Sequence, residues 1–280
     1  MAIITFWNNS KGRIGQTSSA IALATYFAVQ ENIKILLLST GYGDTKVKKS
    51  FGYHYRNELV QEITSMQNTG IDSGIYGLYK IALANRLTPE SIQNYANTIY
   101  KDRLDVLEGI DSNAIVDYNK IYSSYKEIIN VASKLYNVVF VDLNAGLENN
   151  ETKIILEKSD IIITNIEQDI DEIKKFDELR FQNPIFLENN ILVMINRYDK
   201  SSKYNSKNIS RLLKIRPDAL TVPYNTLYNE AMQDGKVDEL FLNPLYRKTI
   251  ENDKNEIFIQ ELQRSLDIIN YKIKELHLRK

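Results

Sequence analysis

Cysteine is absent from the 280 residues. That excludes disulfides, thiolate nucleophiles and cysteine-held metals. Histidine occurs only as His54 and His277, too few for a histidine-rich metal centre. Net charge is nearly missing as well, at −1. Without a global basic field, contact with nucleic acid or an acidic membrane needs a local patch. No apolar run reaches the roughly 18 residues of a membrane span. Met1 leads straight into Ala2-Ile3-Ile4-Thr5-Phe6-Trp7 with no basic segment, so no signal peptide is expected and the expected compartment is the cytoplasm. No stretch is rich enough in Pro, Gly or Ser to mark a linker, and no repeat stands out. Residues 1–280 therefore read as one domain, closed by a helix at about 255–278. A hydrophobic share of 43% is enough for a sizeable core.

What is present is an alternation of short apolar runs and helical stretches. Strands are expected at Ile3–Trp7, Lys34–Leu38, Leu104–Leu107, Val138–Val141, Asp160–Thr164, Ile191–Ile195 and Leu220–Pro223. Helices are expected at Thr17–Gln30, Asp117–Tyr136, Gln168–Phe181 and Glu256–Leu278. The least regular part, Tyr53 to Asn97, is given helices at Glu58–Gln67 and Pro89–Ala96 that extend one end of a sheet. Several strands are continuous apolar runs, as expected for strands covered on both faces. The expected fold is α/β, a doubly wound, mostly parallel sheet flanked by helices.

One loop carries the chemistry. Ser10-Lys11-Gly12-Arg13-Ile14-Gly15-Gln16-Thr17-Ser18 joins the first strand to the first helix. A Gly-bearing loop at a helix N-terminus gathers backbone N–H groups into an anion nest. Thr17 can hold Mg²⁺, but Gln16 stands where the general phosphate-loop pattern has lysine. Gly12 and Gly15 could also make only a tight turn. Val138-Val139-Phe140-Val141-Asp142 is a strand ending in an acid, which places a carboxylate at the ligand crevice or merely in a turn.

The loop resembles the deviant Walker A motif of the ParA/MinD ATPases, K-G-G-x-G-K-[ST]. Lys11, Gly12, Gly15 and Thr17 match it, whereas Arg13 replaces a glycine and Gln16 the second lysine. Asp142-Leu143-Asn144-Ala145-Gly146-Leu147 resembles the family's D-[ST]-P-A-G-[IL] block, with Asn144 in place of proline. Thr164-Asn165-Ile166-Glu167, Ile195-Asn196-Arg197-Tyr198 and Val222-Pro223-Tyr224-Asn225 resemble T-N-P-E, V-N-R-Y and I-P-x-[DN]. Together the blocks cover residues 2 to about 245.

The resemblance implies ATP and Mg²⁺ as ligands. Lys11 would reach a dimer partner's phosphates, and Thr17 and Asp142 would hold the metal. Gly12, Arg13, Ile14, Gly15, Gln16, Thr17 and Ser18 would cradle the phosphates. Asn196 would read the adenine edge, with Arg197, Pro223, Tyr224 and Asn225 beside it. Family members carry an acid after the second strand, where this chain has Ser39-Thr40-Gly41-Tyr42-Gly43-Asp44. Asp44 serves there in a shifted register, or it is a turn residue.

Gln16 and the missing acid imply weak or absent hydrolysis, since a neutral amide brings no charge to the transferring phosphoryl group. Within the family this is similar to the atypical TadZ/CpaE-like members. The implied role is partitioning or positioning, of DNA or a cellular machine, through a nucleotide-dependent homodimer and a regulating partner protein. The alternatives are a nucleotide-independent scaffold, an active ATPase using Arg13 or Lys11 for the missing lysine, and a small-molecule kinase. Lys46, Lys48 and Lys49 could touch DNA or form a solvated surface. The C-terminal helix could lie on a membrane, but is read as a closing helix with a basic end.

Overall fold

The computed structural model describes residues 1–9, 12, 14–43, 46–52, 74–110, 118–188, 190–243 and 254–279. Eight strands form one sheet. They are β1 Ala2–Trp7, β2 Ile35–Ser39, β3 Asn97–Tyr100, β4 Leu104–Leu107, β5 Val138–Asp142, β6 Ile161–Ile166, β7 Asn190–Tyr198 and β8 Leu220–Pro223. Their spatial order is β3-β4-β2-β5-β1-β6-β7-β8. Every neighbouring pair is parallel except β3 with β4. The fold is the expected doubly wound, mostly parallel sheet.

The apolar runs have the cause the pattern implied. In β1, Ile4 and Phe6 enter one core while Ile3 and Trp7 enter the other. In β5, Val138 and Phe140 face the first core, Val139 and Val141 the second. The first core is closed by α1 (Gln16–Gln30), α11 (Thr226–Asp234), α12 (Val237–Leu242) and α13 (Lys254–Arg279). The second is closed by α3 (Gly74–Leu83), α4 (Pro89–Tyr95), α5 (Tyr118–Tyr122), α6 (Tyr125–Ala132), α7 (Asn150–Glu157) and α9 (Pro184–Glu188). A smaller cluster places α8 (Ile170–Gln182) and α10 (Ser206–Leu213) against β6 and β7. The short α2 (Lys46–Ser50) packs against α11.

Local chemistry sets several boundaries. Asp169 caps α8 by accepting from the N–H groups of Asp171 and Glu172 at 2.9 and 3.0 Å. Thr88 and Ser91 form a reciprocal capping box at the start of α4, with Pro89 in its first turn. The edge strand β8 is covered by α13, where the Ser265 hydroxyl bonds both the N–H and the C=O of Thr221 at 3.0 Å. That satisfies backbone groups an open edge would expose.

One expectation needs correction. The helix expected over Asp117–Tyr136 is α5 and α6, broken at Ser123 and Ser124. Their hydroxyls bond back to Lys120 O and Ile121 O at 2.7 Å, offering the backbone an alternative to a continuous ladder. The helix expected at Pro89–Ala96 is α4, but Asn97, at the end of that region, begins β3, an antiparallel edge strand that the sequence pattern does not announce. The helix expected at Glu58–Gln67 lies outside the described residues.

Candidate functional site

From β1 the chain winds to β2 on one side of the sheet, and from β5 it crosses β1 to β6 on the other. Such a reversal opens a crevice at the C-terminal strand ends. The loop after β1 and the acid ending β5 meet there, because β5 pairs with β1 and puts Phe6 beside Asp142.

The first turn of α1 carries backbone N–H groups that no described side chain caps. Its N-cap is Gly15, in the left-handed region at φ 84°. The first intrahelical bond runs from Ser19 N to Gly15 O, so the N–H groups of residues 16–18 precede the helical ladder. A larger residue at Gly15 would be strained by the positive φ and crowded by Asn196, whose Cβ would lie 3.2 Å from the added Cβ. Gly12 is exposed and Ile14 buried. Ser10, Lys11, Arg13 and Asp44 lie outside the described residues.

Gln16 does something its position in the motif did not suggest. The side chain is 8% exposed. Its amide donates to Asp142 Oδ1 and to Leu143 O, each at 2.7 Å, and accepts from Asn8 Nδ2 at 2.6 Å. Both amide hydrogens are therefore committed to β5 and the loop after it. For a phosphate, Gln16 has its backbone N–H to offer. Thr17 Oγ1 donates to Asp142 Oδ2 at 2.9 Å, and Ser39 Oγ lies 3.5 Å from the same oxygen. Thr17 and Asp142 thus sit together, as a Mg²⁺ held by one hydroxyl and one carboxylate would require.

Two further anchors hold this turn. Tyr228 of α11 donates its hydroxyl to Ser18 O at 2.6 Å, and burial pushes its phenol pKa up, keeping it a donor. Ser19 Oγ donates to Asn196 Oδ1 at 2.6 Å, and Asn196 Nδ2 donates to Asn165 Oδ1 at 3.2 Å. Asn196 is 2% exposed and lies beneath the helix start. Among the described residues, one amide hydrogen and one lone pair of it have no partner.

The remaining expected residues spread outward. Arg197 forms a bulge between β7 and β8 at φ 50° and pairs with Glu167 at 3.2 Å. Pro223 ends β8, and Tyr224 is 58% exposed. Asn225 caps α11, accepting from Tyr228 N at 2.8 Å, and donates to Asn255 at 2.7 Å.

Several residues escaped the sequence reading. Trp7 Nε1 donates to Gly146 O, and Gly146 N to Asn8 O, both at 3.0 Å. Gly146 holds φ 85°, where a Cβ would meet Glu148 Oε2 at 2.2 Å. Thr40, fully buried, takes the place near which an acid was sought. A basic stripe also emerges, Lys207, Arg211, Lys214 and Arg216, in a groove whose lining also includes Asp218. Its signal was available: residues 199–218 hold six basic side chains and two acidic ones.

No protein-family model matches the chain. A kinesin-related protein of Dictyostelium discoideum is 27% identical over 136 residues, 49% of this chain but only 13% of that protein. Solved structures align far more completely. A ParA family ATPase from Chlorobium tepidum TLS is 17% identical, with a TM-score of 0.63 over 95% of this chain and 97% of that one. A plasmid partition protein from Borrelia burgdorferi B31, bound to AMPPNP, is 19% identical, with a TM-score of 0.59 over 100% and 99%. The MinD cell division protein of Aquifex aeolicus is 18% identical, with a TM-score of 0.58 over 95% and 97%. With these neighbours, the chain has the fold of the ParA and MinD ATPases.

Proposed function

We propose that this protein binds an adenine nucleoside triphosphate with Mg²⁺ at the loop between β1 and α1, hydrolyses it slowly or not at all, and uses the loaded state to dimerise and position a cargo. One observation carries the reading: the Thr17–Asp142 pair is kept, while the amide of Gln16 is turned onto Asp142, Leu143 and Asn8. The phosphate cradle is then backbone N–H and helix terminus, with no ammonium from position 16. Cradling binds the ground state; catalysis needs charge where charge develops. Lys11 is assigned the contact with a partner's phosphates. Asn196, Arg197 and the Pro223–Asn225 segment flank the base.

DNA is the favoured cargo. Lys207, Arg211 and Lys214 recur at i, i+4 and i+7, which puts them on one side of α10 and its cap. They are exposed, as is Arg216. Such a stripe suits a phosphate backbone. The test is multiple-turnover phosphate release alongside light scattering with ATP·Mg²⁺. A dimer forming without phosphate release supports the reading. Brisk turnover would instead favour the variant in which Arg13 or Lys11 supplies the missing charge.

A further inference from the structure

We propose that Tyr118 is the positioning residue that makes the loop after β2 and the loop after β5 move as one body. Thr40 stands between them. Its N–H donates to Asp142 O at 3.0 Å and its hydroxyl to the same oxygen at 3.3 Å. Asn144 N donates back to Thr40 Oγ1 at 3.0 Å. The Tyr118 hydroxyl closes the set: it donates to Thr40 O at 2.6 Å and accepts from Asn144 Nδ2, which also donates to Thr40 O at 3.3 Å. A phenol can donate and accept at once, so one atom ties both loops to the start of α5.

The ring is itself held. Tyr42, from the loop after β2, packs on it at 5.1 Å between centroids, and Tyr122 stacks on it at 5.3 Å. Burial first, and the neighbouring Tyr122 second, push the phenol pKa up. The hydroxyl therefore remains a donor across the working range. Each loop has another attachment. Ile110 N donates to Gly41 O at 2.9 Å and Gly43 N to Ile110 O at 2.8 Å. Beyond Asn144, Gly146 is bonded to Asn8 and Trp7. A ligand in the crevice that displaces the Asp142 end of β5 pulls on Thr40 through these bonds. Tyr118 keeps Asn144 from parting from it.

Tyr118→Phe keeps the ring stack and removes only the two hydroxyl bonds. Tyr136→Phe is the control, since that buried hydroxyl bonds Asp105 at 2.8 Å, whereas the Tyr122 hydroxyl also reaches the Thr40 side chain. Without nucleotide, amide hydrogen exchange at Thr40 and Asn144 is expected to rise together by about tenfold in Tyr118→Phe and to stay unchanged in Tyr136→Phe. The ligand arm rests on the nucleotide reading above. In wild type titrated with ATP·Mg²⁺, emission of Trp7, the one tryptophan, and exchange at residues 40–43 should change with one midpoint. In Tyr118→Phe the Trp7 change persists while residues 40–43 cease to follow. Unchanged exchange at Thr40 and Asn144 in Tyr118→Phe overturns the proposal, as does an equal rise in Tyr136→Phe. A wild type that ignores ATP counts against the nucleotide reading alone, and the nucleotide-free comparison still decides on Tyr118.

Discussion

Gln16→Glu replaces the amide that holds Asp142 with a carboxyl of the same shape. The native amide donates at 2.7 Å to both Asp142 Oδ1 and Leu143 O, in a site where Gln16 is 8% exposed. A carboxylate there would face a second carboxylate and a carbonyl with no hydrogen to offer. Two acids at that distance cannot both ionise, so the introduced group keeps its proton well above its unfolded range. A rise of about two units, modest for a buried carboxyl, corresponds to about 3 kcal/mol at 1.36 kcal/mol per unit. The folded state then binds more protons than the unfolded one. Stability of the variant is therefore fully present below the unfolded pKa, near pH 4, and falls as pH rises through the folded pKa. Urea unfolding at pH 5 and pH 8 measures it. The variant should lose about 1.7 kcal/mol relative to wild type across that interval, the rest of the loss falling below pH 5. Parallel profiles would refute the placement of Gln16 against Asp142.

Asn196→Ala strands Ser19 Oγ and Asn165 Oδ1, each now bonded to the amide. It should cost about 1–3 kcal/mol in urea unfolding and weaken adenine nucleotides more than inorganic triphosphate in calorimetry. Gly52 and Gly74 both hold positive φ, at 64° and 58°, but a Cβ on Gly52 meets Gly235 O at 2.5 Å while one on Gly74 meets nothing within 4 Å. Gly52→Ala should thus lower stability by at least about 1–2 kcal/mol more than Gly74→Ala, the excess being the backbone displacement. Arg211→Ala with Lys214→Ala should weaken duplex DNA binding for any sequence and flatten its salt dependence by about two in log–log slope; an unchanged slope would remove the α10 groove from the DNA reading.

The sheet was legible because its strands are buried on both faces. β5 opens with four consecutive apolar residues, Val138 to Val141, and β6 with three, Ile161 to Ile163, and parallel strands of that kind announce themselves without a tertiary context. β3, Asn97-Thr98-Ile99-Tyr100, did not: it is a half-buried antiparallel edge, with too little apolar content to read as a strand. The break between α5 and α6 depended on which acceptors two serine hydroxyls would choose. In the site, glycine spacing, Thr17 and the strand-ending Asp142 could be read from the motif. The behaviour of Gln16 could not, since its partners Asp142 and Leu143 are 126 and 127 residues away. Trp7, Thr40 and Tyr118 carry no motif at all. Their role exists only once β1, β2, β5 and α5 are side by side.

Calorimetric titration with ATP·Mg²⁺, ADP·Mg²⁺ and GTP·Mg²⁺ tests the central claim most directly. The account expects micromolar binding of the adenine nucleotides and much weaker binding of GTP. Absence of binding to all three would contradict it, and would leave a nucleotide-independent scaffold in which Gln16 and Asp142 serve only to join α1 to β5.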